Sequence, residues 1–481
     1  MEKDYSKYFM PDLKKAGRRT RGETEFIYET NLDIPEELKE IAKGRKYLVR
    51  TFGCQANERD GETLQGILEQ IGYEKASKVD EADVIILNTC AVRENAEQRV
   101  FGEVGNLKRL KQNNKDLIFA ICGCMIQEEH VVKKVLDKFH QVDILFGTHN
   151  LQNLPQLLMK AYSEKETIVE VYSKEGEVVE ALPVVRNDKL KAWVNVMYGC
   201  DKFCTYCIVP YTRGKERSRK KEDVLQEVRE LKEQGYKEVT LLGQNVNAYG
   251  KDIYTDYDFG DLLIDTAKIG IPRVRFTTSH PWDFNHKMID AIRDYDNIMP
   301  YVHLPLQSGD NTILKRMGRR YSIEEYENLY NEIREKVDGV SITTDIIVGF
   351  PGETEEQFQH TLDAMDKFGY DSAFTFIYSP REATPAARMK DDVTMETKKE
   401  RFNRLVDVVA KHAILRNKEY VGKTVNVLVE GLSKRNKEIL SGYSDSNKLV
   451  NFKGDKNMIG EIVKVKITKA KSWTLEGEQV D

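Results

Sequence analysis

No apolar run in the chain approaches the roughly 20 residues that a membrane-spanning helix needs. The opening stretch MEKDYSKYFMPDLKKAGRRTRGETEF also lacks the apolar core of a secretory leader. A cytoplasmic protein with no membrane partner is expected. Cysteine is sparse, seven in 481 residues. In a reducing compartment those seven read as metal ligands or reactive thiols rather than disulfides. Excess charge of one sign is missing too: 74 basic against 79 acidic residues gives −5. That balance argues against a surface coated in nucleic acid but leaves room for a local basic footprint. The length suggests about three domains.

Residues 1–45 are highly charged, with mixed sign and little periodicity, and read as a partly disordered extension with one helix near IPEELKEIAKG. From 46 to 163 apolar runs alternate with helical spacing. KYLVRTFGC, ADVIILNTC, DLIFAICGC and VDILFGTHN are the strands of a parallel α/β sheet covered on both faces. Residues 164–190 read as a polar linker able to form a hairpin. A second alternation, 186–418, offers six strands, AWVNVMYGC, EVTLLGQNV, RVRFTTSHP, YVHLPLQSG, VSITTDIIVGFP and SAFTFIYSP, which fit a partial (β/α)6 barrel. The short alternating strands of 419–481 suggest a small antiparallel β-barrel.

The cysteines stand at strand ends. Cys54, Cys90 and Cys124 each close a predicted strand of the first unit, where ligands of open α/β sheets bind. Three buried core cysteines would fall the same way. Cys200, Cys204 and Cys207 follow the first barrel strand in MYGCDKFCTYC, with no partner pair nearby. Structural zinc wants four ligands, usually as two pairs. A dithiol redox site wants one Cys-x-x-Cys. A 4Fe–4S cluster is normally held by four thiolates, so three leave one iron with an open position.

That spacing, with Tyr206 before the last cysteine, resembles the radical S-adenosylmethionine (SAM) family. The resemblance implies that the open iron binds SAM and that the cluster's electron releases a 5′-deoxyadenosyl radical. By the same logic Cys54, Cys90 and Cys124 would hold an auxiliary cluster. Cys122, two residues before Cys124, is an alternative ligand. TFGCQANERDGE, NTCAVRENAEQR, CGCMIQ, HLPLQSGDNTILKRMGR, DIIVGFPGET and YSPREATPAA extend the likeness to the methylthiotransferases, with a C-terminal TRAM domain. The forms around Cys54 and Cys90 are nearest the MiaB-type branch, though Ala56 and Gly61 stand where that branch more often has Met and Ser. The resemblance implies two 4Fe–4S clusters and two SAM molecules per turnover. It implies methylthiolation at C2 of isopentenyladenosine, at position 37 beside a tRNA anticodon. Relatives act instead on threonylcarbamoyl-adenosine or on a ribosomal-protein aspartate. An electron donor such as flavodoxin or ferredoxin and an iron–sulfur carrier protein are further implied partners.

Lesser signals remain open. Gln244 and Asn245, after the second barrel strand, read as SAM contacts or as a capping loop. Gln307 and Ser308, after the fourth, would meet its ribose. Gly349, in GFPGE, reads as an adenine contact or a tight turn. His280 and His303 read more simply as structural histidines than as substrate contacts. For RNA, the run from 208 to 221 offers Tyr211, Arg213, Arg217, Arg219, Lys220 and Lys221 beside the predicted cluster.

Overall fold

The computed structural model describes residues 5–17, 24–28, 32–91, 94–173 and 177–480. Parts of the N-terminal extension, and residues 92 and 93 of the NTCAVRE stretch, lie outside them. Residues 46–170 build a six-stranded parallel sheet in the order Glu74–Lys75, Lys46–Thr51, Val84–Thr89, Ile118–Gly123, Ile144–Phe146 and Ile168–Glu170. Its central strands VIILNT and IFAICG are buried throughout, which is why they read as unbroken apolar runs. One core, with Leu64, Leu68 and Leu157, covers one face, and another, with Val100, Val104 and Val135, covers the other. Cys122 sits fully buried in the first core. Alternation would have put it on the face of Cys124, but Gly123 turns the chain with a φ of 96° between them.

Two regions add to the sequence expectation. The N-terminal extension carries the expected helix, Glu36–Ala42, and among its described residues also a short helix Leu13–Ala16 and a strand Glu25–Tyr28. Among the described residues the linker forms no hairpin. Its strand Glu177–Glu180 pairs in parallel with Glu25–Tyr28. A parallel pairing across so long a separation leaves no local turn signal to read.

The central unit has the six expected strands, Lys191–Asn195, Glu238–Leu242, Arg273–Thr277, Tyr301–His303, Ser341–Val348 and Ser372–Ile377. They form two three-stranded parallel sheets joined through the bridge Val274–Ile298. Val239, Leu241, Val274, Phe276, Ile342 and Ile346 face the surrounding helices, so the alternate residues face the lumen. The helix Met395–Lys418 leads into a closed five-stranded barrel of Thr424–Leu432, Leu440–Ser444, Leu449–Lys453, Leu475–Gln479 and Ile462–Ala470. All its pairings are antiparallel except that of Leu449–Lys453 with Leu475–Gln479. This barrel docks under the central one. Buried Arg273 donates to the Tyr443 and Asn426 carbonyls, and Arg275 to those of Ser444 and Asp445.

Candidate active site

Three adjacent strands bring Cys54, Cys90 and Cys124 to one edge. Thr51 pairs with Asn88 and Thr89 with Gly123, so the residues just beyond them emerge at one level. Glycine makes the turn possible. Gly53 has a φ of 151°, and a Cβ there would lie 2.6 Å from the Cys90 Cβ. The hydrogen bond between Cys90 and Cys54, helped by the Arg213 charge, lowers the Cys54 thiol to about 5. Burial pushes Cys124 up to about 11, and the Arg213 guanidinium offsets part of it. Arg213 Nε donates to Cys124 Sγ at 3.2 Å, and its Nη2 to Asp60 Oδ2 at 2.6 Å. Asn57 ties the group together: its Oδ1 lies 3.3 Å from Cys54 Sγ, and its Nδ2 donates to the Thr89 carbonyl.

The second triad is local. Gly199, with a φ of 71°, lies so close to the Lys215 carbonyl that a Cβ would be 1.9 Å from it. Phe203, between Cys200 and Cys204, has a φ of 46°, a strained value for an aromatic residue. Met317 accepts a hydrogen bond from the Thr205 N–H, and the Arg316 carbonyl accepts from its hydroxyl. These bonds pin the loop to the barrel. Burial and the neighbouring Cys204 push Cys207 up to about 12, while burial and Glu216 raise Cys200. Arg319 Nη1 lies 3.4 Å from Cys204 Sγ. Each triad therefore has one buried guanidinium on one sulfur, fitted to hold negative charge there. The two meet, since Cys124 packs against Ile208 and Tyr211, just past Cys207.

The donor sets fit iron–sulfur clusters. Among the described residues no group of three His, Cys, Asp or Glu side chains is drawn close enough for a single ion. A cubane needs its thiolates farther apart, and each triad offers three with no fourth.

The cofactor candidates divide. Gln307 is buried, has a φ of 74°, and its Oε1 has no hydrogen-bond partner among the described residues. Asn245 is likewise buried with an unpartnered Oδ1, while its Nδ2 bonds Glu216 and Asp283. Both fit a polar ligand. Tyr206 is half-buried between the triad and the apolar cluster of Met317 and Phe350. Gln244 accepts from the Gly199 N–H at 2.6 Å and so positions the cysteine loop. Ser308 is fully buried, with its hydroxyl 3.3 Å from Thr361 Oγ1 and accepting from the Asp310 N–H. The Gly349 N–H is taken by Glu353, itself held by buried Arg401.

The RNA expectation needs correction at three residues. Arg213, Arg217 and Arg219 are buried, so they do not present a phosphate-binding surface. Arg213 serves the first triad. Arg217 donates to the Glu177 and Arg213 carbonyls. Arg219 grips Glu180 through two bonds and Glu227 through a third. These arginines line a cavity of about 580 Å³ behind the first triad. Composition could not distinguish an interior ion-pair network from a basic surface. Lys220 and Lys221 are the half-exposed pair, over the rings of Tyr28 and Tyr257. Tyr211 is half-buried at the triad junction. Arg319, Asn57 and Asp60 were missed. The signal for the last two was their place on the helix that starts after Cys54.

The Radical SAM superfamily profile matches residues 194–365, that of Uncharacterized protein family UPF0004 residues 46–147, and that of the TRAM domain residues 418–480. The tRNA-2-methylthio-N(6)-dimethylallyladenosine synthase of Bacillus subtilis (strain 168) is 57% identical, over 100% of this chain and 95% of its own length. That of Anoxybacillus flavithermus is 57% identical over 99% and 92%. The chain belongs to the tRNA-2-methylthio-N(6)-dimethylallyladenosine synthase family. Radical SAM membership brings a 4Fe–4S cluster and SAM with it. A radical S-adenosylmethionine methyltransferase from Kitasatospora setae shares the fold, with a TM-score of 0.51 and 14% identity over 71% of this chain and 77% of its own. Among the described residues no helix is long and apolar enough to cross a membrane.

Proposed function

We propose that the chain methylthiolates C2 of N6-dimethylallyladenosine in tRNA, using two 4Fe–4S clusters and two SAM molecules per turnover. The supporting observation is the meeting of two three-thiol sets across Ile208. Adenine C2–H is neither acidic nor electrophilic enough for acid–base attack, and the clusters with SAM, when bound, supply radical and sulfur chemistry instead.

The chain's own residues hold and shield. Cys200, Cys204 and Cys207 would take the SAM-binding cluster, and Cys54, Cys90 and Cys124 the auxiliary one. Arg319 and Arg213 neutralise thiolate charge from inside. Gln244 fixes the turn before Cys200. Asn245 and Gln307 offer their unpartnered oxygens to the cosubstrate, and Tyr206 and Gly349 flank its site. Met317 and Phe350 keep water from the barrel mouth. Lys220 and Lys221 would meet tRNA phosphates, with Tyr211 near the flipped base. An electron donor such as flavodoxin or ferredoxin and an iron–sulfur carrier protein complete the expected partners, and a cytoplasmic setting suits them.

The test is turnover on an isopentenylated anticodon stem-loop with reductant and SAM, read by mass spectrometry. Methylthio product and 5′-deoxyadenosine are expected, and their absence from iron-replete protein rejects the reading.

A further inference from the structure

The last two barrel strands carry an inner wall that the chemistry above does not use. Asp345 pairs in register with Phe374, and Ile347 with Phe376. Their alternates Ile346, Val348, Ala373 and Ile377 pack outward against the helices, so both phenylalanines belong to the lumen. Phe374 is 53% exposed and Phe376 37%. Two large aromatic faces in one cleft are costly to leave wet and suit a flat apolar ligand. His303 frames the slot. Its ring stands edge-on to Phe374 at 5.8 Å, its Nδ1 is 2.9 Å from Thr343 Oγ1, and its Nε2 is 3.4 Å from Asp345 Oδ1. The wall runs on toward the reaction centre, because Ile347 and Tyr206 both pack on the cluster of Met317 and Phe350.

We propose that Phe374, Phe376 and Asp345 receive the N6-alkylated adenine and select its N6 substituent, accepting an apolar prenyl group and refusing an anionic one. The proposal rests on the methylthiotransferase reading. An N6-alkylated adenine keeps one N–H on N6, which the Asp345 carboxylate accepts. Its ring offers a π-face to Phe374, and five prenyl carbons would cover Phe376 and Ile347. A threonylcarbamoyl group would bring a carboxylate beside Asp345, where like charges repel in a partly desolvated slot. The inner-wall cation Arg275 is already engaged by Glu238 and by the carbonyls of Ser444 and Asp445, so it does not offset that repulsion.

The experiment measures binding of full-length protein to three anticodon stem-loops that carry unmodified, isopentenyl- or threonylcarbamoyl-adenosine. Wild type is expected to favour the isopentenyl loop. Phe376→Ala should cut that preference about tenfold while leaving affinity for the unmodified loop in place, whereas Phe374→Ala, which removes the face under the ring common to both loops, should weaken both alike. Retained affinity of Phe376→Ala for the unmodified loop also reports that this variant is folded. Phe376→Leu should restore most of the preference. Asp345→Asn should raise affinity for the threonylcarbamoyl loop about tenfold. Wild-type protein that binds all three loops equally overturns the proposal together with the substrate reading beneath it. Wild-type discrimination that survives Phe376→Ala and Asp345→Asn unchanged overturns the receptor alone.

Discussion

The two cysteine triads do similar work by different constructions. Cys200, Cys204 and Cys207 occupy one short loop, and Cys54, Cys90 and Cys124 come from three strands. Yet the details converge. Gly53, Gly123 and Gly199 each precede a cysteine with positive φ, and Arg213 and Arg319 each place one guanidinium on one sulfur. A local triad needs only its loop to be held. A distributed triad depends on sheet register, and so on the stability of a whole domain.

The sharpest way to break the comparison is Cys204→Ala against Cys90→Ala. Each should abolish methylthio product and remove about four of roughly eight irons, counted on anaerobic protein. Only Cys204→Ala should also abolish 5′-deoxyadenosine. If Cys90→Ala abolished it equally, the two sites would not be separable.

Next comes Arg213→Ala, which strands buried Asp60 and should cost about 3–5 kcal/mol in denaturant unfolding. An unchanged midpoint would mean that Arg213 serves only the sulfur.

The third prediction concerns acid. Burial raises Glu227, but Arg219, Arg59 and Arg186 overcome it and hold its carboxyl down at about 2, from an ordinary 4.5. A depressed carboxylate stabilises fully above its unfolded value, and that stability is lost as pH falls through the folded one. Stability should therefore decline from about pH 4.5 toward 2, and Glu227→Gln should flatten that slope. A slope that persists in the variant would reassign the acid sensitivity to other carboxylates.

Smaller effects separate the constructions further. Gly53→Ala should lower auxiliary iron loading, since its Cβ would crowd Cys90. Gly102→Ala, with open space around it on a helix, should be neutral or stabilise by about 0.5–1 kcal/mol. The smallest expected change is that of Lys220→Ala with Lys221→Ala. Loss of two phosphate contacts should flatten the salt dependence of tRNA binding by a slope of about 2. A slope unchanged by the pair would place the RNA contact elsewhere.

Much of the fold was readable because buried parallel strands leave continuous apolar runs and the surrounding helices keep their spacing. Cysteines at strand ends were readable for the same reason, since strand ends in a parallel sheet share an edge. Less readable was anything decided across distance. The pairing of Glu25–Tyr28 with Glu177–Glu180 has no local signal. Arg217 and Arg219 look basic in sequence and are interior in the structure, because the Glu177 and Arg213 carbonyls take up Arg217 and the Glu180 and Glu227 carboxylates take up Arg219. Ser308 stands beside Gln307, yet one packs inward and the other keeps an unpartnered oxygen, a difference set by the turn at Gln307.

By itself the sequence determined the element types, the order of the three units and the thiol-bearing strand ends, since periodicity and turn chemistry are properties of neighbouring residues. Tertiary structure alone decided which charges are buried, which cysteine of Cys122 and Cys124 faces the site, and how the two triads meet. Those outcomes depend on the partners that distant segments supply, and burial makes each charge depend on them.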